Sequence, residues 1–447
     1  MAAQMVLLIN PDLPPSSPWG LSKTLPPLGL MYIGAVLERD GFHVKILDNY
    51  MLNKPVNKVK DFVSDLDPEI VGISCNSVNY EQAVKIAKAV KEASPKSVVV
   101  MGGPHATCMP ETLLAHKEVD FVIAGEGEFS MLELAKNVST QKLSRLQQIP
   151  GLAYRVNNHV AINPQSFIED LDWVPMPARH LIDLQRYDRN VEYVPAKPVD
   201  ILNVTRGCPF KCRFCETKKI WGTKHRVFSP RRVVEEIEHL IDNYGAEGVY
   251  FIGDNFTLDG EWVKKICSLI IKRKLDIKWA CDTRVDLISR DLIRCMRAAG
   301  CRTIWFGVES GSPRILNKLN KGITLKQAMD AVKLCRKEGI STACSFLLGV
   351  PGETIKDMEA TLSFALKLNP DWCQFNIYIA CPGSSLYEEV IQSGMYDRWS
   401  DFIYFVKTDE FNYASLLEIQ KKFHKTFHRS PKRLLRRICE RAKAILS

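Results

Sequence analysis

No apolar run in this chain reaches the roughly 20 residues that a bilayer-spanning helix needs. The opening residues, MAAQMVLLINPDLPP, have no basic leader, so the short run Val6 to Ile9 reads as a buried strand and not as a signal peptide. An excess of one charge is also missing from most of the chain. The formal net charge is +9, yet residues 420–447 hold ten Lys/Arg against one acid, Glu440, which leaves residues 1–419 balanced. That balance excludes general nucleic-acid binding and makes the tail a separate problem. Disulfide pairing signals are absent as well. The fourteen cysteines are scattered mostly through apolar segments, as reduced thiols of a cytosolic protein are. What remains is ordinary for globular proteins, with 46% hydrophobic and 25% charged residues, and 447 residues suggest two or three domains.

From 1 to 140, short apolar runs (MVLLINP, HVKILD, EIVGIS, SVVVMGG, FVIAGEGE) alternate with helical patterns such as YEQAVKIAKAVKEA. That βαβ rhythm predicts a doubly wound, Rossmann-like parallel sheet, with ligands at the carboxyl ends of the strands. Those ends are Asn10–Pro11, Asp48–Asn49, Ser74–Asn79, Gly102–Thr107 and Gly125–Glu128, all small, polar or Gly-rich. Each is readable as a plain turn; together they read as the rim of a binding site. Residues 141–199 read as a linker with a small hairpin turning at Asn157-Asn158.

Alternation resumes at 200. Strand candidates DILNVTR, GVYFIGD, IKWACDT, TIWFGVES, TACSFLLG and WCQFNIYI are separated by helical patterns at 229–244, 260–273, 289–299, 324–338 and 354–368. Ser229-Pro230 makes an N-cap and first-turn pair, and Gly300 and Gly339 fall where helix-ending glycines belong. Six β-α units over 200–383 predict a partial (β/α)6 barrel with its chemistry at the strand C-termini. Just after the first of these strands comes RGCPFKCRFC, placing Cys208, Cys212 and Cys215 as C-x3-C-x2-C with no fourth cysteine nearby. Tetrahedral zinc wants four ligands and disulfides want pairs. Three soft thiolates suit a four-iron cluster with one iron left open, and Lys211 and Arg213 offset its negative charge.

This segment resembles the radical S-adenosylmethionine (SAM) superfamily, in which an aromatic residue commonly precedes the third cysteine, as Phe214 does here. The resemblance covers about 200–383. It implies that Cys208, Cys212 and Cys215 ligate one [4Fe–4S] cluster and that SAM chelates the open iron. It also suggests SAM contacts from Asp254 and Asn255, where the family often has Gly-Gly-Glu, and from Glu309 and Ser310 at the ribose. Gly349 and Val350 of FLLGVPGE would lie beside the adenine, and Arg284 of CDTRVD would meet a carboxylate or form a plain salt bridge. IACPGSSLYE (379–388) is similar to the family too and reads mainly as structural.

The domain ahead of it, about 1–140, resembles the cobalamin (B12)-binding domain of B12-dependent radical SAM enzymes, through LPPLGLMYIGAVLERDGFHVKILD, IVGISCNS, VMGGPHAT and AGEGE. The resemblance assigns Asn10, Asp48, Tyr50, Ser74, Asn76, Ser77, Gly102, Gly103, His105, Gly125 and Glu126 to the cobalamin site. The Asp-x-His-x-x-Gly motif of many cobalamin proteins is missing after the second strand, where Asp48-Asn49-Tyr50-Met51-Leu52-Asn53 stands. That implies cobalamin without a histidine on cobalt, or a domain that has lost the cofactor. His43 and His105 read as structural or hydrogen-bonding residues, not metal ligands.

The implied activity is a C-methyltransferase: a 5′-deoxyadenosyl radical takes hydrogen from an unactivated carbon, and methylcobalamin gives the methyl group. The alternative is non-methylating radical chemistry, such as cyclisation, ring rearrangement or C–C coupling. A methylthiotransferase would need a second N-terminal cluster, but only Cys75 and Cys108 precede residue 208. The other late cysteines show no pairing for the auxiliary clusters of a peptide-maturing enzyme. An intact three-cysteine site argues against a non-catalytic sensor, and no single catalytic residue stands out. An external flavodoxin- or ferredoxin-type electron donor is expected, with a protein or peptide, a natural-product intermediate or a lipid as substrate. After the barrel, 384–447 is expected to be mostly helical. It ends in a basic helix with an apolar stripe (Leu434, Leu435, Ile438, Ala442, Ile445, Leu446) beside Arg433, Arg436, Arg437, Arg441 and Lys443. That helix reads as a peripheral anchor at the inner membrane surface, a contact for an acidic partner, or a helix packed on the body. Localisation is expected to be cytoplasmic.

Overall fold

The computed structural model describes residues 4–14, 25–140, 143–157, 159–431 and 433. The chain divides into two compact units: Met1–Arg189 with Arg206–Pro209 and Glu216–Ser229, and Asn190–Thr205 with Phe210–Cys215 and Pro230–Ser447.

In the first unit β1 (Met5–Asn10), β2 (His43–Asp48), β3 (Ile70–Ser74), β4 (Val98–Gly102) and β5 (Phe121–Ile123) run parallel in the order β2-β1-β3-β4-β5. The central strands are apolar on both faces because helices cover both, which is why MVLLIN and IVGIS read as unbroken apolar runs. The helices are α1 (Leu28–Arg39), α2 (Asn49–Leu52), α3 (Val56–Leu66), α4 (Tyr80–Ala93), α5 (Pro104–Cys108), α6 (Pro110–Leu114) and α7 (Gly127–Ser139). Val6 and Leu8 from β1 pack with Val36 and Leu37 of α1 and Leu134 of α7 in one core. Strand order reverses between β1 and β3, the place where such sheets open a crevice at their carboxyl ends.

The expected linker differs in its first part. Its hairpin forms, as β6 (Leu152–Val156) and β7 (His159–Ile162), but β6 pairs antiparallel with β5 and extends the first sheet to seven strands. Asn157 takes the left-handed conformation of the turn (φ 52°), and Asn158 lies outside the described residues. Phe121, Val122 and Ile123 left an unpaired edge that the apolar β6 covers.

β8 (Val199–Arg206) precedes the cysteine segment. α8 (Thr217–Trp221) and the two-residue β9 (Arg226–Val227) follow it and belong to the first unit. In the second unit β8, β10 (Gly248–Gly253), β11 (Lys278–Thr283), β12 (Cys301–Glu309), β13 (Ser341–Leu348) and β14 (Trp372–Ile377) are parallel and adjacent in chain order. α9 (Pro230–Tyr244), α10 (Gly260–Lys272), α11 (Arg290–Ala298), α12 (Pro313–Lys318), α13 (Leu325–Lys337) and α14 (Ile355–Leu368) alternate with them, which is the partial barrel expected. Their ends follow local signals. Thr324 and Thr354 close capping boxes with Gln327 and Asp357, and Gly300 and Gly339 supply positive φ just past α11 and α13.

The C-terminal part holds α15 (Ser385–Ser393), a hairpin of β15 (Tyr396–Arg398) and β16 (Tyr404–Val406), and α16 (Tyr413–His428). α16 packs on β14, with the Phe423 and Phe375 rings 5.4 Å apart. Arg433 does not belong to a solvated basic face. It is buried, stacks on Phe427 and donates to the carbonyl oxygens of Pro370 and Asp371. The rest of the basic stripe lies outside the described residues. Among them, no helix is long and apolar enough to cross a membrane.

Candidate functional site

The first unit contains a cavity of about 250 Å³ at the carboxyl ends of β3, β4 and β5. Ser74, Gly102, Gly103, Gly125 and Glu126 of the expected rim reach its wall, with Leu8, Ile33, Met131, Ile220 and Trp221. Glycine shapes it. A Cβ on Gly103 (φ 110°) would stand 2.7 Å from the carbonyl oxygen of Cys75, and one on Gly72 2.8 Å from Leu8 Cδ2.

The polar members of the expected rim fold back on the protein instead. Asn76 Oδ1 accepts from the backbone of Val78 and Asn79. Ser77 Oγ meets His105 Nδ1 at 3.0 Å, and Nε2 of the same ring meets Thr112 Oγ1 at 3.0 Å. Burial lowers the His105 pKa to about 4, so it is a neutral interior group with both nitrogens engaged. Asn10 donates to Asp48 at 2.8 Å, and Asp48 also accepts from the Tyr187 hydroxyl. Tyr50 does not line the cavity. His43 opens β2 at the opposite end of the sheet and is exposed.

Glu126 lines the cavity but offers it no free charge. Its carboxylate binds Arg226 Nη1 at 2.8 and 2.9 Å and Arg206 Nη1 at 3.1 Å, while Arg206 Nη2 binds Glu128 at 2.6 Å. All four side chains are at most 6% exposed. The Arg206 guanidinium also lies 4.9 Å from the Trp221 ring centroid and 5.7 Å from that of Tyr32.

The cysteine segment leaves the end of β8 through Gly207 (φ 88°), where a Cβ would stand 2.2 Å from the Lys224 carbonyl oxygen. Cys208 N–H donates to the Gly222 carbonyl at 3.2 Å. Further along, Arg213 N–H donates to Leu319 O at 2.9 Å, its carbonyl accepts from Leu386 N–H at 3.1 Å, and its guanidinium pairs with Glu389 at 2.7 Å. The 379–388 segment and α15 therefore brace the loop. All three thiols are half-buried. Burial raises the Cys212 pKa, and the positive charges of Lys321 and Arg284 pull it back toward thiolate.

Arg284 stacks on Phe210, 3.7 Å from its centroid, and aims Nη1 at Cys212 Sγ, 3.9 Å away. Asp286 holds it through two 2.9 Å bonds, so the carboxylate expected for it is already supplied from inside the protein. Lys321, which the sequence reading passed over, pairs with Glu309 at 2.8 Å and lies 5.7 Å from the Phe214 ring centroid. Glu309 sits at φ 68°. Ser310 follows it directly in the chain. It is fully buried, and its hydroxyl is taken by Thr361 at 3.1 Å and by the Ser312 N–H at 3.1 Å. Asp254 and Asn255 end β10 on a half-exposed turn, with Thr205 Oγ1 donating to the Asp254 carbonyl. Gly349 and Val350 give their N–H groups to Glu353 Oε2 at 2.7 and 3.0 Å, and Val350 is buried.

Comparison with known proteins now bears on this arrangement. Residues 202–365 match the radical SAM superfamily model and residues 21–135 match the B12 binding domain model. An uncharacterized methyltransferase of Pyrococcus horikoshii is 33% identical over 98% of this chain and 96% of its own. The chain is a B12-binding-domain member of the radical SAM superfamily. The anaerobic magnesium-protoporphyrin IX monomethyl ester cyclase of Rubrivivax gelatinosus is 30% identical over 88% of this chain and 72% of its own. Among solved structures, the radical SAM methyltransferase TsrM of Kitasatospora setae shares the fold, with a TM-score of 0.78 at 18% identity over 94% of this chain and 89% of that one.

The residues of this radical SAM chain fit the groups its family implies. Three soft thiol donors with two cations facing Cys212 suit an iron–sulfur cluster. No three His, Cys, Asp or Glu side chains converge on one ion among the described residues. A cluster does not need that convergence, because each thiolate binds a different iron. The glycine-lined apolar cavity suits an apolar part of an organic cofactor, being too small at about 250 Å³ for a whole corrinoid, and no histidine stands in its wall.

Proposed function

We propose that this protein is a cobalamin-dependent radical SAM C-methyltransferase acting on an unactivated carbon. The observation that carries the reading is the pairing, in one chain, of the C-x3-C-x2-C loop after β8 with the glycine-walled cavity at the ends of β3 to β5. The full-length similarity to a methyltransferase of Pyrococcus horikoshii supports it. Cys208, Cys212 and Cys215 would hold the cluster, and the cavity would hold cobalamin without a protein histidine on the metal. Bound together, cluster and SAM supply a radical able to take hydrogen from carbon, and cobalamin supplies a methyl group.

The chain's own part is to orient and enclose. Lys321 and Arg284 oppose the effect of burial on Cys212 and so favour its thiolate, and the Glu309 and Asp286 partners hold those two cations in place. Glu353 fixes the Gly349–Val350 turn at the end of β13 by taking both N–H groups. A non-methylating radical reaction is the second reading, favoured by the 30% identity to the Rubrivivax gelatinosus cyclase.

The deciding measurement is anaerobic reconstitution with iron, sulfide and hydroxocobalamin, followed by desalting, an absorption spectrum and an iron count. Retention of one cobalamin and four irons per chain is expected, with iron lost from Cys212→Ser. Transfer of label from deuterated-methyl SAM to product then separates methylation from the second reading. Four irons with no retained cobalamin would remove methyl transfer from consideration.

A further inference from the structure

Arg206 is the last residue of β8 and stands two positions before Cys208. Its guanidinium is buried. Its two terminal nitrogens bind Glu126 and Glu128, whose loop from Gly125 to Glu128 walls the cavity. Its flat face lies against Trp221, another wall residue. The next residue, Gly222, accepts the Cys208 N–H through its carbonyl, and the Trp221 carbonyl accepts from Arg226 Nη2 at 2.8 Å. Between the cavity and the first cysteine, therefore, stands one buried ionic cluster.

We infer that Arg206 is a positioning residue that couples the two cofactor sites, so that filling the cavity and retaining iron at Cys208 favour each other. The inference rests on the reading that the cavity takes cobalamin and the cysteines take the cluster. Its physical basis is rigidity. A ligand in the cavity presses on Trp221 and on the Gly125–Glu128 loop, and buried charge pairs of this kind have one good geometry. Fixing that geometry fixes the end of β8 at Arg206 and the Trp221–Gly222 segment, and the Cys208 backbone is held between them by the Gly207 turn (φ 88°) and the hydrogen bond to Gly222. The coupling is reciprocal by necessity.

The test uses the reconstituted full chain and follows iron transfer to a ferrous chelator, with and without saturating hydroxocobalamin. In the wild type cobalamin is expected to slow iron loss by about fivefold or more, and cluster-free protein should bind hydroxocobalamin more weakly than cluster-loaded protein. Arg206→Met should bind hydroxocobalamin at high concentration without protecting the iron, and Arg206→Lys should restore part of the protection. Equal iron loss with cobalamin bound and unbound, or full protection in Arg206→Met, overturns the coupling. A wild type that binds no hydroxocobalamin overturns the cobalamin reading itself, and the coupling with it. Should Arg206→Met fail to fold, the two wild-type measurements decide alone, with Trp221→Leu as the second variant.

Discussion

The cavity of the first unit and the cysteine loop with its second-unit neighbours are built by opposite means. The cavity is made by leaving things out: Gly72 and Gly127 stand where a side chain would press on the wall residues Leu8, Met131 and Ile33, and the nearby charges of Glu126 and Glu128 are taken up by arginines. Around Cys212 the protein instead adds charge, with Arg284 and Lys321 each buried and each held by its own carboxylate. The first design recognises a ligand by shape and apolar area. The second can hold an anionic group and set its electronic state. A protein that needed one kind of cofactor would have little reason for both.

Substitutions that fill space should break the first site and spare the second. Gly72→Val puts branched bulk where even a Cβ stands 2.8 Å from Leu8 Cδ2, inside the wall. The variant is expected to retain no cobalamin after desalting while keeping four irons, in the same spectrum and iron assay that define the wild type. Iron loss well beyond that of wild-type protein without cobalamin would mean that the cavity is structural support and not a cofactor site. The converse substitution is Lys321→Met. It leaves Glu309 buried without its cation, which costs about 3 kcal/mol in such pairs, and it withdraws one positive charge from Cys212. Chemical denaturation should show that loss, and the cluster should become harder to reduce in a redox titration while cobalamin retention is unchanged. The double variant Lys321→Met, Glu309→Gln should recover much of the stability but only part of the potential, since Lys321 acts on Cys212 more strongly than Glu309 does.

How much of this was legible beforehand follows the reach of each interaction. The barrel helices fall within a residue or two of their expected ends because caps are local: Thr324 with Gln327, Thr354 with Asp357, Gly300 after α11 and Gly339 after α13. The three-cysteine loop was legible for the same reason. The strand-end rim was only half legible. Its glycines do line the cavity, whereas Asn76, Ser77 and Asp48 have side chains long enough to bond their own turns and neighbours, and they do so. Ser310 likewise bonds its neighbours, Thr361 and Ser312. Arg206 was illegible, because its partners lie 80 and 78 residues away and no spacing rule relates a strand end to a distant loop. Lys321 sat in NKLNKGIT as one surface-like charge among several, and only burial distinguishes it.

Glu353 provides the smallest effect and the cleanest sign. Its Oε2 accepts from Gly349 and Val350, its Oε1 has no hydrogen-bond partner, and burial raises its pKa from 4.5 to about 8 against the opposing pull of those two N–H groups. Between those values the folded chain keeps a proton that the unfolded chain releases. The stabilising share of this group is therefore full below about pH 4.5 and fades as pH rises through about 8. The carboxyl thus opposes the charged design around Cys212: it is held neutral, by burial, at the turn it braces. Glu353→Gln keeps one carbonyl acceptor for the two N–H groups and removes the titration. Relative to the wild type it should gain about 2 kcal/mol or more in unfolding free energy between pH 5 and pH 8.5, read from denaturant midpoints across that range. A constant difference between the two proteins over the same range would mean that Glu353 is ionised throughout, held by its two N–H donors against the cost of burial.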